Sequence, residues 1–97
     1  MSRLADLDAT FVRHIDGGNF VEVSCRSSAN GVMFDCPKCG RHRVLCWDRT
    51  VPAGITPGPG RWDMVGDTLD DLTLNPSINL EPNGCCWHGW VKNGDAT

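Results

Sequence analysis

Cys36 and Cys39 stand two residues apart in the stretch Cys36-Pro37-Lys38-Cys39-Gly40. That interval lets both sulfurs reach one cation. Pro37 stiffens the turn, and Gly40 can take the positive φ that doubles the chain back. The pair is half of a tetrahedral site. A complement lies far along the chain, in Cys85-Cys86-Trp87-His88. A C-x2-C joined to a distant C-x2-H offers thiolates and an imidazole, the donor set of a structural Zn²⁺ centre. A redox C-x2-C would not need the second half, and ordinary thiols or a disulfide would need neither. We therefore expect Zn²⁺ on Cys36, Cys39, Cys85 and His88. In an extended segment Cys86 points to the face opposite Cys85, so one of the two binds, and the spacing to His88 favours Cys85. Cys25 and Cys46 fall in strand-like stretches and read as small buried hydrophobes. His42 would be another source of a fourth ligand, but its closeness to Cys39 makes the ring geometry awkward. His14 has no local partner.

Two roles compete for His88. As a ligand it closes the zinc shell and leaves no position for water. As a general base it must be free of the metal and close to a nucleophile. The candidate nucleophile is Ser77, in Asn75-Pro76-Ser77-Ile78. A serine after proline is ordinarily a strand or turn residue, so the residues themselves leave both roles open. Asp67, Asp70 and Asp71 could orient a histidine, and nothing in their spacing selects one. No H-E-x-x-H or other hydrolytic metal signature is present, which weighs against a zinc-activated water.

The elements that must position these groups are short. The chain has 97 residues, six of them cysteine, and a net charge of −3. That length fits one domain, 1–97, with little core of its own and a need for a staple. The start, Met-Ser-Arg-Leu-Ala-Asp, carries no apolar signal region, so a cytoplasmic setting with reduced thiols is expected, where metal binding outranks disulfides. No apolar run approaches the length of a membrane span. The acidic balance argues against general affinity for nucleic acid. Lys38, Arg41, His42 and Arg43 form a basic exception, read as a solvated rim beside the metal.

Residues 1–9 are polar and mixed, a loose arm or one helical turn. Residues 11–15 and 20–25 alternate around the turn Asp16-Gly17-Gly18-Asn19 and predict a β-hairpin. Val32-Met33-Phe34 leads into the cysteine knuckle and Arg43–Trp47 leads out of it, the layout of a zinc ribbon. Residues 51–61 are dense in Pro and Gly and predict an exposed loop, either a connector or a substrate-facing flap. Trp62 should anchor the chain back onto the core. Residues 66–72 could hold one helical turn. Residues 73–80 run extended, Glu81-Pro82-Asn83-Gly84 makes a tight turn, and 88–91 form a last strand. The expected fold is mostly β: a small, zinc-stapled, zinc-ribbon-like antiparallel sheet with little helix.

Several of these pieces together resemble a known family. They are Phe34-x-Cys36-x-x-Cys39-Gly40, Trp62, Leu72-Thr73-Leu74-Asn75-Pro76-Ser77-Ile78, and Cys85-x-x-His88-x-Trp90-Val91-x-Asn93-Gly94. Their order is similar to that in small bacterial and phage proteins long grouped as a domain of unknown function, whose phage members often carry the label "ammonia monooxygenase". Some members belong to bacterial operons for ubiquitin-like conjugation and are regarded as peptidases of the ubiquitin-like protein or its conjugates. The resemblance implies Ser77 as nucleophile, His88 as its base and zinc holding the fold. A non-catalytic zinc module that binds a protein partner, with His88 as ligand, is the competing expectation.

Overall fold

Strands in the first half of the chain alternate strictly, and both of their faces are put to use. The computed structural model describes residues 2–55, 60–80 and 87–97. In it, β2 (Thr10–Asp16), β3 (Asn19–Val23), β4 (Gly31–Asp35) and β5 (Arg43–Trp47) form an antiparallel sheet in the order β3-β2-β4-β5. Phe11, Val32, Phe34, Val44 and Cys46 face the main core. Val12 and Trp47 pack with Val51 in a second cluster, against which Phe20, Met33 and Leu45 also lie. This is the period-two separation of side chains across a pleated sheet. Gly31 pairs with Trp47, and a Cβ there would lie 2.5 Å from Trp47 Cε3, so the missing side chain is what admits the indole.

The second sheet has the order β1-β9-β8-β7-β6. Its strands are β1 (Ser2–Arg3), β9 (Asp95–Ala96), β8 (His88–Lys92), β7 (Thr73–Asn79) and β6 (Asp63–Val65). Leu74, Ile78, Val91 and Ala96 point inward and share one core with Phe11, Phe34 and Val44 of the first sheet. The two sheets therefore pack across a common apolar layer. The outward face carries Asn75, Trp90 and Lys92, with Lys92 Nζ 4.8 Å from the Trp90 ring. No α-helix occurs among the described residues; Leu4–Leu7 and Arg26–Ser28 form 3-10 turns. The first of these is docked by Leu4, which is fully buried, and by Arg3, which donates to Asn93 O and Asp70 O and pairs with Asp95. The mostly antiparallel β fold expected from the sequence is the fold found, split into two sheets instead of one.

The link between the sheets runs through the Pro/Gly stretch. Arg61 closes its base, donating to the carbonyls of Val51, Pro52, Ile55 and Gly60. Trp62 follows; its amide donates to Trp47 O at 3.0 Å, and it forms a parallel bridge with Asp48. Residues 66–72, which could have held a helical turn, hold one hydrogen-bonded turn, Asp71 N to Thr68 O at 3.4 Å, tied further by the side chain of Asp71. Its carboxylate accepts from the amides of Asp67 and Thr68 and from the Thr68 hydroxyl. The tight turn expected at Glu81-Pro82-Asn83-Gly84, and Cys85 and Cys86 after it, lie outside the described residues, as do 56–59.

Candidate active site and metal centre

Strands β7 and β8 pair at Leu74↔Val91 and again at Ile78↔Gly89. Between these pairs β7 has three residues, Asn75, Pro76 and Ser77, where β8 has Trp90 alone. Extra residues in one strand of a pair bulge it and re-aim its side chains. Here the bulge contains the cis peptide Asn75-Pro76. It brings Ser77 Oγ to 3.3 Å from His88 Nε2, although His88 itself pairs with Asn79. A hydroxyl and a ring nitrogen at this separation are within reach of proton transfer, and such contacts tighten when substrate binds. The imidazole is exposed and the serine half-buried, so a carbonyl arriving from solvent can reach both.

Among the described residues no carboxylate bonds to His88. Two of the three candidate orienters, Asp70 and Asp71, are engaged elsewhere. Asp71 holds the 67–68 turn, and the Thr68 amide keeps its carboxyl below the ordinary value. Asp70 lies 3.7 Å from Arg3. Among the described residues the constellation is a Ser–His pair with no carboxylate on the histidine.

The metal candidates gather elsewhere. Cys36, Cys39 and His42 bring their ligand atoms within 4.8 Å of one another. A tetrahedral Zn²⁺ with sulfur and nitrogen ligands separates its donors by roughly 3.5–3.8 Å, so these residues fit the ion with small adjustment. His42 Nδ1 is 3.1 Å from Cys39 Sγ. The short interval from Cys39 does not hinder the ring, because Gly40 takes φ 65° and the amide of Cys36 bonds to His42 O, closing the knuckle upon itself. The Arg41 amide donates to Cys39 Sγ at 3.4 Å. Cys36 is buried at the end of β4, while Cys39 and His42 face outward. The sequence signal for His42 was the repeat of the interval itself, Cys36-x2-Cys39-x2-His42. His88 is not part of this group, and Cys85 lies outside the described residues.

Cys46 is fully buried, and burial pushes its thiol far up, so it stays protonated and packs as an apolar side chain. His14 caps its hairpin, with Nε2 2.7 Å from Gly17 O and the ring edge-on to Trp47. Neither joins a site. The knuckle and the Ser–His pair do communicate through packing. Phe34, two residues before Cys36, meets Trp87 edge-to-face at 6.1 Å, and Trp87 immediately precedes His88, the first residue of β8. Gly89 follows; a Cβ there would collide with Thr97 O and lie 2.7 Å from Trp87 Nε1. The histidine is thus held between a buried indole and a position where only glycine fits.

No helix among the described residues is long and apolar enough to cross a membrane. Comparison with known protein families matches residues 8–97 to a family described as bacterial ubiquitination-like system serine protease (BubE). No curated protein and no solved structure matches the chain. The match takes in the knuckle, the bulged strand and the Ser77–His88 contact together, and the chain belongs to the BubE family of serine proteases of bacterial ubiquitination-like systems.

Proposed function

We propose that this chain is a serine-type peptidase that cleaves a ubiquitin-like protein or its conjugates, with Ser77 as nucleophile and His88 as its base. The observation that carries the reading is the 3.3 Å contact between Ser77 Oγ and His88 Nε2. In acylation Ser77 Oγ bonds to the carbonyl carbon and its proton passes to His88 Nε2. The tetrahedral intermediate expels the amine, which takes that proton from His88. Water then adds to the ester with His88 again as base, and Ser77 leaves with its proton restored. Backbone N–H groups beside Ser77 stabilise the oxyanion. The family description supports a protein substrate, and the acidic net charge supports protein over nucleic acid.

In the same proposal Cys36, Cys39, His42 and Cys85 hold a Zn²⁺ ion that closes the knuckle and takes no part in cleavage. Four ligands leave His88 free for Ser77. Thiolate ligands suit a reducing cytoplasm, in a bacterial cell or a phage-infected host. The test is Ser77→Ala against a ubiquitin-like protein carrying a C-terminal extension or an isopeptide-linked partner. Cleavage should disappear while zinc content and fold persist. Unchanged cleavage would overturn the peptidase reading and leave a zinc-stapled module that binds a protein partner.

A further inference from the structure

We infer that Trp62 is a positioning residue for the nucleophile, acting through the main-chain carbonyl of Ser77. This rests on the peptidase reading. Strand β6 pairs with β7 only as far as Asp63↔Asn75, and pairing with β8 resumes at Ile78. Pro76 and Ser77 therefore lie in a gap without a registered strand partner on either side. The indole Nε1 of Trp62 donates to Ser77 O at 3.4 Å, supplying the donor that a longer β6 would have supplied. A carbonyl, its own Cα and the next amide share one rigid plane, so a bond to Ser77 O restrains the Ser77–Ile78 peptide and the position of Ser77 Cα, from which the hydroxyl is carried.

Trp62 is itself held at both ends. Its amide bonds to Trp47 O, its backbone bridges to Asp48, and its half-buried ring packs against the main core. The bulge that presents Ser77 would otherwise be free to shift along its own strand. Catalysis is sensitive to such shifts: about 1 Å of misplacement can cost roughly a hundredfold. The side chain that stops this one comes from outside the β7–β8 pair.

The experiment uses the full chain and a fluorophosphonate probe, which labels an activated serine oxygen by displacing fluoride. Ser77→Ala sets the background. Trp62→Phe keeps an aromatic ring in the core and removes the N–H. The maximal labelling rate should fall about five- to tenfold, the scale of one neutral hydrogen bond, with the half-saturating probe concentration and zinc content unchanged. A benzothiophene isostere of tryptophan at position 62 should show the same defect, and 5-fluorotryptophan, which keeps the N–H, should not. The isostere keeps the test decisive if Trp62→Phe folds poorly. Wild-type rates in the isostere would overturn the role of Trp62 and leave the peptidase reading standing. Labelling of Ser77→Ala equal to wild type would overturn both.

Discussion

Ser77 Oγ meets His88 Nε2 at 3.3 Å because β7 spends three residues where β8 spends one. The contact comes from a local irregularity, and the two residues do not stand opposite each other in the ladder. Replacing His88 by Gln should keep a polar contact of similar reach while removing the base proposed for Ser77. Cleavage should fall by about a hundredfold or more, with metal stoichiometry by elemental analysis and the thermal midpoint both retained. Loss of zinc in that variant would return His88 to the metal shell.

His42→Ala should do the opposite. Removing one donor from the Cys36–Cys39–His42 group should lower zinc occupancy and make the remaining metal easy to strip. Chelation of the wild type should lower its stability as well. A ligand present at a thousand times its Kd contributes about 4 kcal/mol to the folded state, so a chelator titration followed by thermal melting reads the effect directly.

Gly89→Ala should destabilise the domain by about 1–3 kcal/mol, the usual range for forcing an extra carbon into a packed site. The added Cβ has no room beside Thr97 O and Trp87 Nε1. Because His88 and Trp90 flank it, cleavage should fall too. Gly54→Ala is the control, since a Cβ there meets nothing within 4 Å and no positive φ is required. It should leave the unfolding free energy from urea titration within about 0.5 kcal/mol of wild type.

Asp71 predicts an acid-side dependence. Hydrogen bonds to its carboxylate, that from the Thr68 amide foremost, hold its pKa below the ordinary value of 3.8. A depressed carboxyl contributes stability that is fully present above the unfolded value and is lost as pH falls through the folded one. Asp71→Asn should therefore be less stable than wild type at neutral pH, and the gap should close below pH 3.8. Urea midpoints of the two proteins across that interval give the comparison.

The sheet-forming stretches could be read from the sequence because their signals are local. The turn at Asp16–Asn19, the alternation through Phe34 and Cys46, and the knuckle glycine each depend on neighbours a few residues away. The division into two sheets could not be read this way. It depends on Trp62 pairing with Asp48 and on Leu4 reaching the common core, contacts that no periodicity announces. At the metal group the repeated interval carries Cys36, Cys39 and His42 alike, but whether the His42 ring can reach the cysteines depends on Gly40 turning and on the Cys36 amide finding His42 O. The Ser77–His88 contact was suggested by resemblance. Its physical cause, a bulge of two extra residues, is a property of the pairing and is written in neither strand alone.

The guanidinium of Arg61 gathers carbonyls from Val51, Pro52, Ile55 and Gly60, so the two ends of the Pro/Gly stretch are fastened together whatever runs between them. Once the ends are fixed, the closure entropy of the enclosed chain grows only with the logarithm of its length, about 0.6 kcal/mol for each doubling. Insertions between Ile55 and Gly60 should therefore cost little. Such an insertion should leave Trp62 and its bond to Ser77 O in place.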